Sequence, residues 1–538
     1  MSLVSQDLPS DPDALRALVA VLQAQLAERD WAIAARDAEI HAKTLHIEKL
    51  KAQLAVLRRA RFGRSSEKLD QAIEQLELLI GELEEGEALT RSRAVPVGSS
   101  SEPSPKPARA GGRQRLPEHL PRETVSHPAP CACPGCGGTK LSMLGEDVSE
   151  VLEYVPSYFK VVRHLRPRMS CRACETISQA PVPSLPIERG LPGPALLAHV
   201  LIAKYCDHTP LHRQSAIYAR AGVELDRSTL ADWVGSAVFL LTALAEAIGR
   251  HARAGPVIHA DDTPVPVLDP GRGRTKTGRL WVLVRDERPW ASPAPPAAFY
   301  RYSADRKGEH AEALLGSCRG FLHADAYAGF GGLYEPDPAT GQARLVEVAC
   351  WSHARRKLYD VHQATASPIA KDALERIAEL FAIEKAIRGQ PPDRRLAVRQ
   401  ERARPLLDEL KRVLDTSLGR ISRKSSLAQA IRYATSRWDA LSRFITDGRL
   451  EMSNNAAERA IRPLALGRKN YLFAGADAGG ERAAVLYTII ETAKLNGLDP
   501  EAYLADILAR IADHPAKRID QLLPWRWTVS ATTSALAA

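Results

Sequence analysis

The stretch VIHADDTP, residues 257–264, ends an apolar run on two adjacent carboxylates, and FLHADAYAGF, residues 321–330, repeats its His-Ala-Asp in the same kind of setting. Both runs read as strands. In a strand successive side chains alternate faces, so His259 and Asp261 point one way while Ala260 and Asp262 point the other. Only one of the two adjacent acids then faces a site, and His323 with Asp325 repeats that register. The reading predicts one carboxylate from each of two strand ends, Asp261 and Asp325, with substitution of Asp262 tolerated. Two carboxylates at close range repel. A hard divalent cation, Mg2+ or Mn2+, relieves that repulsion, and a pair of such ions suits phosphoryl transfer by stabilising attacking and leaving oxygens.

Around this pair the texture is β-rich: PVIHADDTPVPVL, GRLWVLVRD and AAFYRYSAD, then helical GEHAEALLGS, then GFLHADA and LVEVACWSHA. Three strands, a helix and two more strands is the order of a ribonuclease H-like α/β core, placed here at 255–359 with a second part at 451–490. Between them, 360–450 is Arg-rich and helical, and reads as an all-helical insertion. A third carboxylate is expected from a helix. Glu458 in MSNNAAERAIRPLALGRKNYLFAG is one candidate and Glu481 the other. Glu458 also has a plain role, since Asn455 followed three residues later by Glu has the pattern of a capping box. Arg462, Arg468 and Lys469 surround it with charge suited to phosphates. Trp351, His353, Arg355 and Arg356 read as the end of the preceding strand, with Trp351 as core and the arginines as DNA contacts.

Upstream, Cys133 and Cys136 pair with Cys171 and Cys174 as two CxxC knuckles, with Cys131 as a spare. Each CxxC turn presents two thiolates to one ion, and four thiolates leave no open position, so the motif predicts structural Zn2+ in a ribbon of two hairpins over 121–185. Residues 190–250 read as three or four short helices, Gly222 closing the second and Ser228 or Thr229 opening the third. That pattern fits a helix-turn-helix with Arg227 and Thr229 near DNA, and equally a small helical bundle. Residues 88–120, rich in Pro, Ser, Gly and Arg, read as a disordered linker. Over 11–87 the chain is helix-forming: Leu26, Ile33, Ile40, Ile47 and Leu54 recur every seven residues beside Leu22, Leu50 and Leu57, with Arg29, Arg36 and Lys43 interrupting the second apolar column. This is a heptad seam, suited to a homo-oligomer or to a helix packed on its own chain.

A formal charge of +9 and a pI near 9.1 favour a polyanionic partner. The longest apolar stretch, AVFLLTALA at 237–245, is too short to span a bilayer, and the N-terminus lacks a signal-peptide pattern, so no membrane role is expected.

RFGRSSEKL (61–69), the paired knuckles, HADDTPV, HADAYAGF, CWSHARRKL (350–358), NNAAERAIRPLALGRKNYLFAG and LNGLDPEAYL (495–504) together resemble insertion-sequence 66 family transposases over nearly the whole chain. The resemblance implies a multidomain α+β protein. Its parts would be a leucine-zipper-like N-terminus, a zinc-binding domain, a helix-turn-helix region, a ribonuclease H-like catalytic domain of DDE type and a short C-terminal element at 491–538. It implies Asp261, Asp325 and Glu458 as the DDE triad holding two Mg2+ ions, and DNA ends and target DNA as partners. Element-encoded accessory proteins and a bacterial cytoplasmic, DNA-associated location belong to the same expectation. Where the family often has Asp-Glu after His-Ala, this chain has Asp261-Asp262, which keeps Asp262 open as a ligand. The rival readings are a nuclease or resolvase of the same core that cuts without joining, and a zinc-containing DNA-binding protein with an inactive catalytic fold.

Overall fold

The computed structural model describes most of residues 116–528 and, before them, scattered positions between 23 and 53. Those positions are helical, and two residues of the heptad seam among them, Ile47 and Leu50, are buried while Gln23, Arg29 and Gln53 are exposed. The rest of the N-terminal helical region and most of the 88–120 linker lie outside the described residues. The linker expectation fails at its C-terminal end. Leu120 is buried in the main core, and Arg122 donates to the carbonyls of Leu116, Glu118 and Leu120.

The ribbon comprises β1 (Arg122–Ser126), β2 (Leu141–Val155), β3 (Tyr158–Cys171) and β4 (Ile177–Gln179). β3 lies between β1 and β2 and also pairs with β4, so its two hairpins share one strand. The β-branched and aromatic residues of VLEYV and YFKVV suit a half-buried pleated surface. Two residues of β2 tie the ribbon to the helical region after it: Leu152, whose backbone bonds Leu191 and Gly193, and Glu153, whose carboxylate accepts from the Leu196 amide at 2.7 Å. Burial pushes Glu153 up to about 7 against the opposing amides of Leu196, Tyr154 and Ala195.

Helices α1 (Pro194–Tyr205), α2 (Leu211–Arg220) and α3 (Arg227–Arg253) come next. Gly222, at φ +77°, supplies the left-handed residue that ends α2. The expected short third helix is corrected: α3 runs 27 residues, begins at Arg227 rather than at Ser228 or Thr229, and has Asp226 at its cap position. By length and composition α3 could cross a membrane, contrary to the expectation from the apolar run alone; its apolar side is instead taken up by the core. Gly249 is required within it because the Phe299 ring lies where a Cβ would stand.

The central sheet has β5 (Val257–Asp269), β6 (Arg274–Arg285), β7 (Ala297–Ser303), then helix α4 (Gly308–Leu315), then β8 (Gly320–Ala324) and β9 (Leu345–Ala349). Its order is β7-β6-β5-β8-β9, with β5, β6 and β7 antiparallel and β5, β8 and β9 parallel. Three strands, a helix and two strands therefore occur as predicted.

Trp351 and its neighbours do not end a strand. They open α5 (Trp351–Thr365), which with α6 (Pro368–Ile387), α7 (Pro392–Val398), α8 (Arg404–Leu418), α9 (Ser426–Thr435) and α10 (Trp438–Ser442) builds a second core. The helical insertion thus begins earlier than 360. Trp351 is fully buried there, its Nε1 donating to the Leu441 carbonyl. Ser367 and Ser425 cap α6 and α9 through their hydroxyls. The chain returns to the sheet as α11 (Asn455–Gly467), α12 (Asp477–Leu495) and α13 (Pro500–Arg510), so α12 runs across the boundary expected at 490. Thr488 and Thr492, one turn apart on α12, accept from the amides of Tyr300 and Ala298, which occupies the outer edge of β7.

Candidate active site and zinc cluster

The parallel register His259↔His323 brings Asp261, on β5, and Asp325, just beyond β8, to the same end of the sheet. Glu458 arrives in the first turn of α11. Burial, then the charges of Asp325, Asp262 and Glu458, push Asp261 up to about 7, although its Oδ1 accepts from the Asp262 amide at 2.8 Å. The charges of carboxylates from three separate elements therefore bear on Asp261. Glu481 is exposed on α12, where its charge bears on Tyr302.

Asp262 has a different task. Its side chain is 1 % exposed and is held by Arg279 Nη1 at 3.0 Å and Arg306 Nη2 at 2.7 Å. Arg306 Nη2 also lies 3.6 Å from Asp325 Oδ2, with its guanidinium over the Tyr327 ring. The expectation that Asp262 is dispensable is corrected, because removing its charge would leave two arginines facing a buried neutral group.

The repeated histidines are structural. His259 and His323 are buried and stacked, with ring centroids 4.3 Å apart, and burial lowers both pKa values, which keeps them neutral. His259 Nδ1 meets Asn454 Oδ1 at 3.1 Å, and the Glu451 amide donates to His323 Nε2. Fully buried Asn454 also donates from Nδ2 to the Ala260 carbonyl at 2.8 Å and from its backbone amide to Cys350 Sγ at 3.2 Å. The segment entering α11 is thus bonded to both strands that carry the aspartates.

The capping-box reading of Glu458 is also corrected. Asn455 Oδ1 takes the Ser352 hydroxyl, and the Glu458 carboxylate lies 3.8 Å from both Cys350 Sγ and His353 Nδ1. Sequence reasoning missed a clamp on the same segment. Arg399, fully buried, donates to the carbonyls of Phe444, Asp447 and Leu450 and pairs with Glu384, while Arg395 bridges Glu384 and Glu451. Their four-residue spacing on a helix was the available signal, but surface arginines show the same spacing.

In the ribbon, Cys133, Cys136, Cys171 and Cys174 bring their sulfurs within 4.8 Å of one another. Gly137 (φ +72°) and Glu175 (φ +57°) turn the two knuckles. The Thr176 hydroxyl and amide lower Cys174 to about 6 while hydrogen bonding to Cys174 raises Cys136 to about 12, so the thiols of the cluster hold their protons unevenly. Cys131 is exposed and stands outside the four.

The profile of the transposase IS66 family matches residues 189–482, more than half of the chain. The chain belongs to the IS66 transposase family. Profiles for transposase C of IS166 homeodomain (49–125), the zinc-finger binding domain of transposase IS66 (130–175) and the IS66 C-terminal element (488–525) match on either side of it. Three proteins of Sinorhizobium fredii are similar over most of their length. Uncharacterized protein y4hP is 42% identical over 93% of this chain and 91% of its own. Uncharacterized proteins y4qI, 37% identical over 99% and 100%, and y4jD, 39% over 89% and 94%, follow. With the zinc-finger match, the four-cysteine cluster supports structural Zn2+ in this transposase family member. Arg227 and Thr229 are partly exposed at the start of α3, Arg355 and Arg356 are exposed on α5, and Arg462 is exposed on α11. Arg468 and Lys469 lie outside the described residues.

Proposed function

We propose that this IS66-family chain is a DDE-type transposase that cleaves DNA at insertion-element ends and joins the freed ends to target DNA. The observation that carries the reading is the His259↔His323 register, which brings Asp261 and Asp325 to one end of the sheet, with the Glu458 charge bearing on Asp261 from α11. The sheet order β7-β6-β5-β8-β9, which is that of ribonuclease H-like cores, supports it. The donor set fits a pair of hard divalent ions, being carboxylates only: burial first, and the charges of the other acids after it, push Asp261 up to about 7, a cost that a bound cation would relieve. When bound, Mg2+ or Mn2+ supplies the positive charge that makes water or a 3′-hydroxyl a competent nucleophile and stabilises the departing oxygen.

Asp261, Asp325 and Glu458 bind; Asn454 and the two histidines tie the segment entering α11, which carries Glu458, to the strands of the aspartates; Arg306 restrains Asp325. Exposed Arg355, Arg356 and Arg462 take phosphates beside the site, and Arg468 and Lys469 add positive charge to the same basic sequence. Arg227 and Thr229 serve as a separate DNA contact at the start of α3. Water attacks a phosphodiester at the element end and leaves a 3′-hydroxyl, which then attacks a target phosphodiester, without a covalent bond to the protein. Association through the N-terminal helices and accessory proteins of the element belong to the same proposal.

An assay with element-end DNA, target DNA and Mg2+ tests it. Joined products support the transposase, cut products alone support a nuclease or resolvase, and binding without either supports an inactive catalytic fold.

A further inference from the structure

We infer that Cys350, His353 and Glu458 form a second zinc site, apart from the ribbon cluster, that takes Glu458 away from the paired aspartates. Cys350 occupies the cap position before α5 and His353 lies in that helix's first turn, so a C-x-x-H spacing at a helix start presents sulfur and imidazole together. Glu458 reaches them from α11. The three ligand atoms all lie within 4.8 Å of one another, with Sγ to Oε1 and Nδ1 to Oε1 each 3.8 Å. Bonds of about 2.3 Å to sulfur and about 2.0 Å to nitrogen and oxygen in a tetrahedron separate such ligands by roughly 3.3–3.6 Å. For the two pairs that include Glu458, a shift of a few tenths of an ångström reaches those separations.

A second observation concerns the imidazole: its Nδ1 is shut off from solvent and turned toward Cys350 and the Glu458 carboxylate, so the three donor atoms face one another. A third concerns the sulfur: the Asn454 amide donates to Cys350 Sγ, the kind of outer bond that holds a metal-bound thiolate. Thiolate with imidazole selects Zn2+ over Mg2+, whereas the three carboxylates select Mg2+. Glu458 belongs to both sets and serves one at a time. The site itself stands apart from the proposed function; only its consequence, inhibition by zinc, rests on Glu458 as a catalytic ligand.

The test begins with protein whose ribbon zinc is in place, equilibrated with Zn2+ in Mg2+-free buffer and counted for metal. Wild type should hold a second equivalent of zinc that Cys350→Ser and His353→Ala lack. Co2+ added in place of that second equivalent should give a sulfur-to-cobalt absorption band that is missing in Cys350→Ser. No second equivalent in wild type, or the same second equivalent in both variants, overturns the site whatever the enzyme's activity. On element-end DNA at fixed Mg2+, Zn2+ should inhibit, with roughly tenfold more needed for Cys350→Ser; equal sensitivity overturns the competition. Absence of any Mg2+-dependent product, with the zinc count as expected, would count against the transposase reading and leave the zinc site standing.

Discussion

Asn454 Nδ2 donates a 2.8 Å hydrogen bond to the carbonyl of Ala260, so the residue preceding α11 is bonded to the strand between His259 and Asp261. Through that bond the helix carrying Glu458 and the strand carrying Asp261 keep a fixed spacing, although 197 positions of numbering lie between the two acids (458 − 261). Asn454→Ala leaves the Ala260 carbonyl and His259 Nδ1 without their buried partner. We expect a loss of about 2–3 kcal/mol in urea unfolding, together with a loss of Mg2+-dependent cleavage larger than the remaining folded fraction explains.

Asp261→Asn and Asp262→Asn should differ in kind. Asp261→Asn abolishes cleavage and joining while DNA binding persists, because phosphate contacts lie elsewhere. Asp262→Asn breaks a buried pairing with Arg279 and Arg306 and should cost about 3 kcal/mol of stability. Denaturant midpoints measured beside gel-shift and cleavage assays separate them; a fully stable, inactive Asp262→Asn would make Asp262 the metal ligand.

The proton on Asp261 gives a pH test in Mg2+-free buffer. Its folded value of about 7 lies above the ordinary 3.8, so the folded chain holds this proton more tightly than the unfolded chain. Stability from this group is therefore greatest below pH 3.8 and is lost as pH climbs from 3.8 to 7. Asp261→Asn removes that loss. Its Tm should exceed that of wild type by about 3 °C or more at pH 8, with the gap shrinking toward pH 5. A gap that widens on acidification would refute the assigned shift.

Cys171→Ser, which removes a buried zinc ligand, should free amide exchange throughout β2 and β3 while leaving protection of β5 and β8 near the wild-type level. Equal loss of protection in both sheets would mean that the ribbon holds up the central sheet as well.

Gly193→Ala tests the joint between ribbon and α1. A Cβ there would overlap the Glu153 carboxylate, which accepts the Leu196 amide. We expect about 2 kcal/mol of destabilisation and faster proteolysis near residue 190.

The sequence carried the two aspartates because strand alternation and a repeated His-Ala-Asp are local patterns, and the four cysteines because their spacing is itself the chemistry. It did not carry what depends on partners far along the chain. Asp262 reads as spare because Arg279 and Arg306 lie on other elements, and the partners of Arg395 and Arg399, Glu384 and Glu451, meet them only in the fold. Cys350 and His353 are two of three clustered donors whose third member, Glu458, lies on α11. Helix α3 runs on through Gly235, beyond the short helix expected. Burial of its apolar side outweighs the roughly 1 kcal/mol that a helical glycine costs.

Thr488 and Thr492 give the C-terminal region a meaning for truncated chains. A premature stop before Thr488 removes the two hydroxyls that occupy the amides of Ala298 and Tyr300, and with them the helix that shields that flank of β7. What remains is a bare strand edge, open to the same edge on another copy. Gene fragments ending there would yield sedimenting aggregates rather than soluble proteins able to compete with the intact chain for DNA.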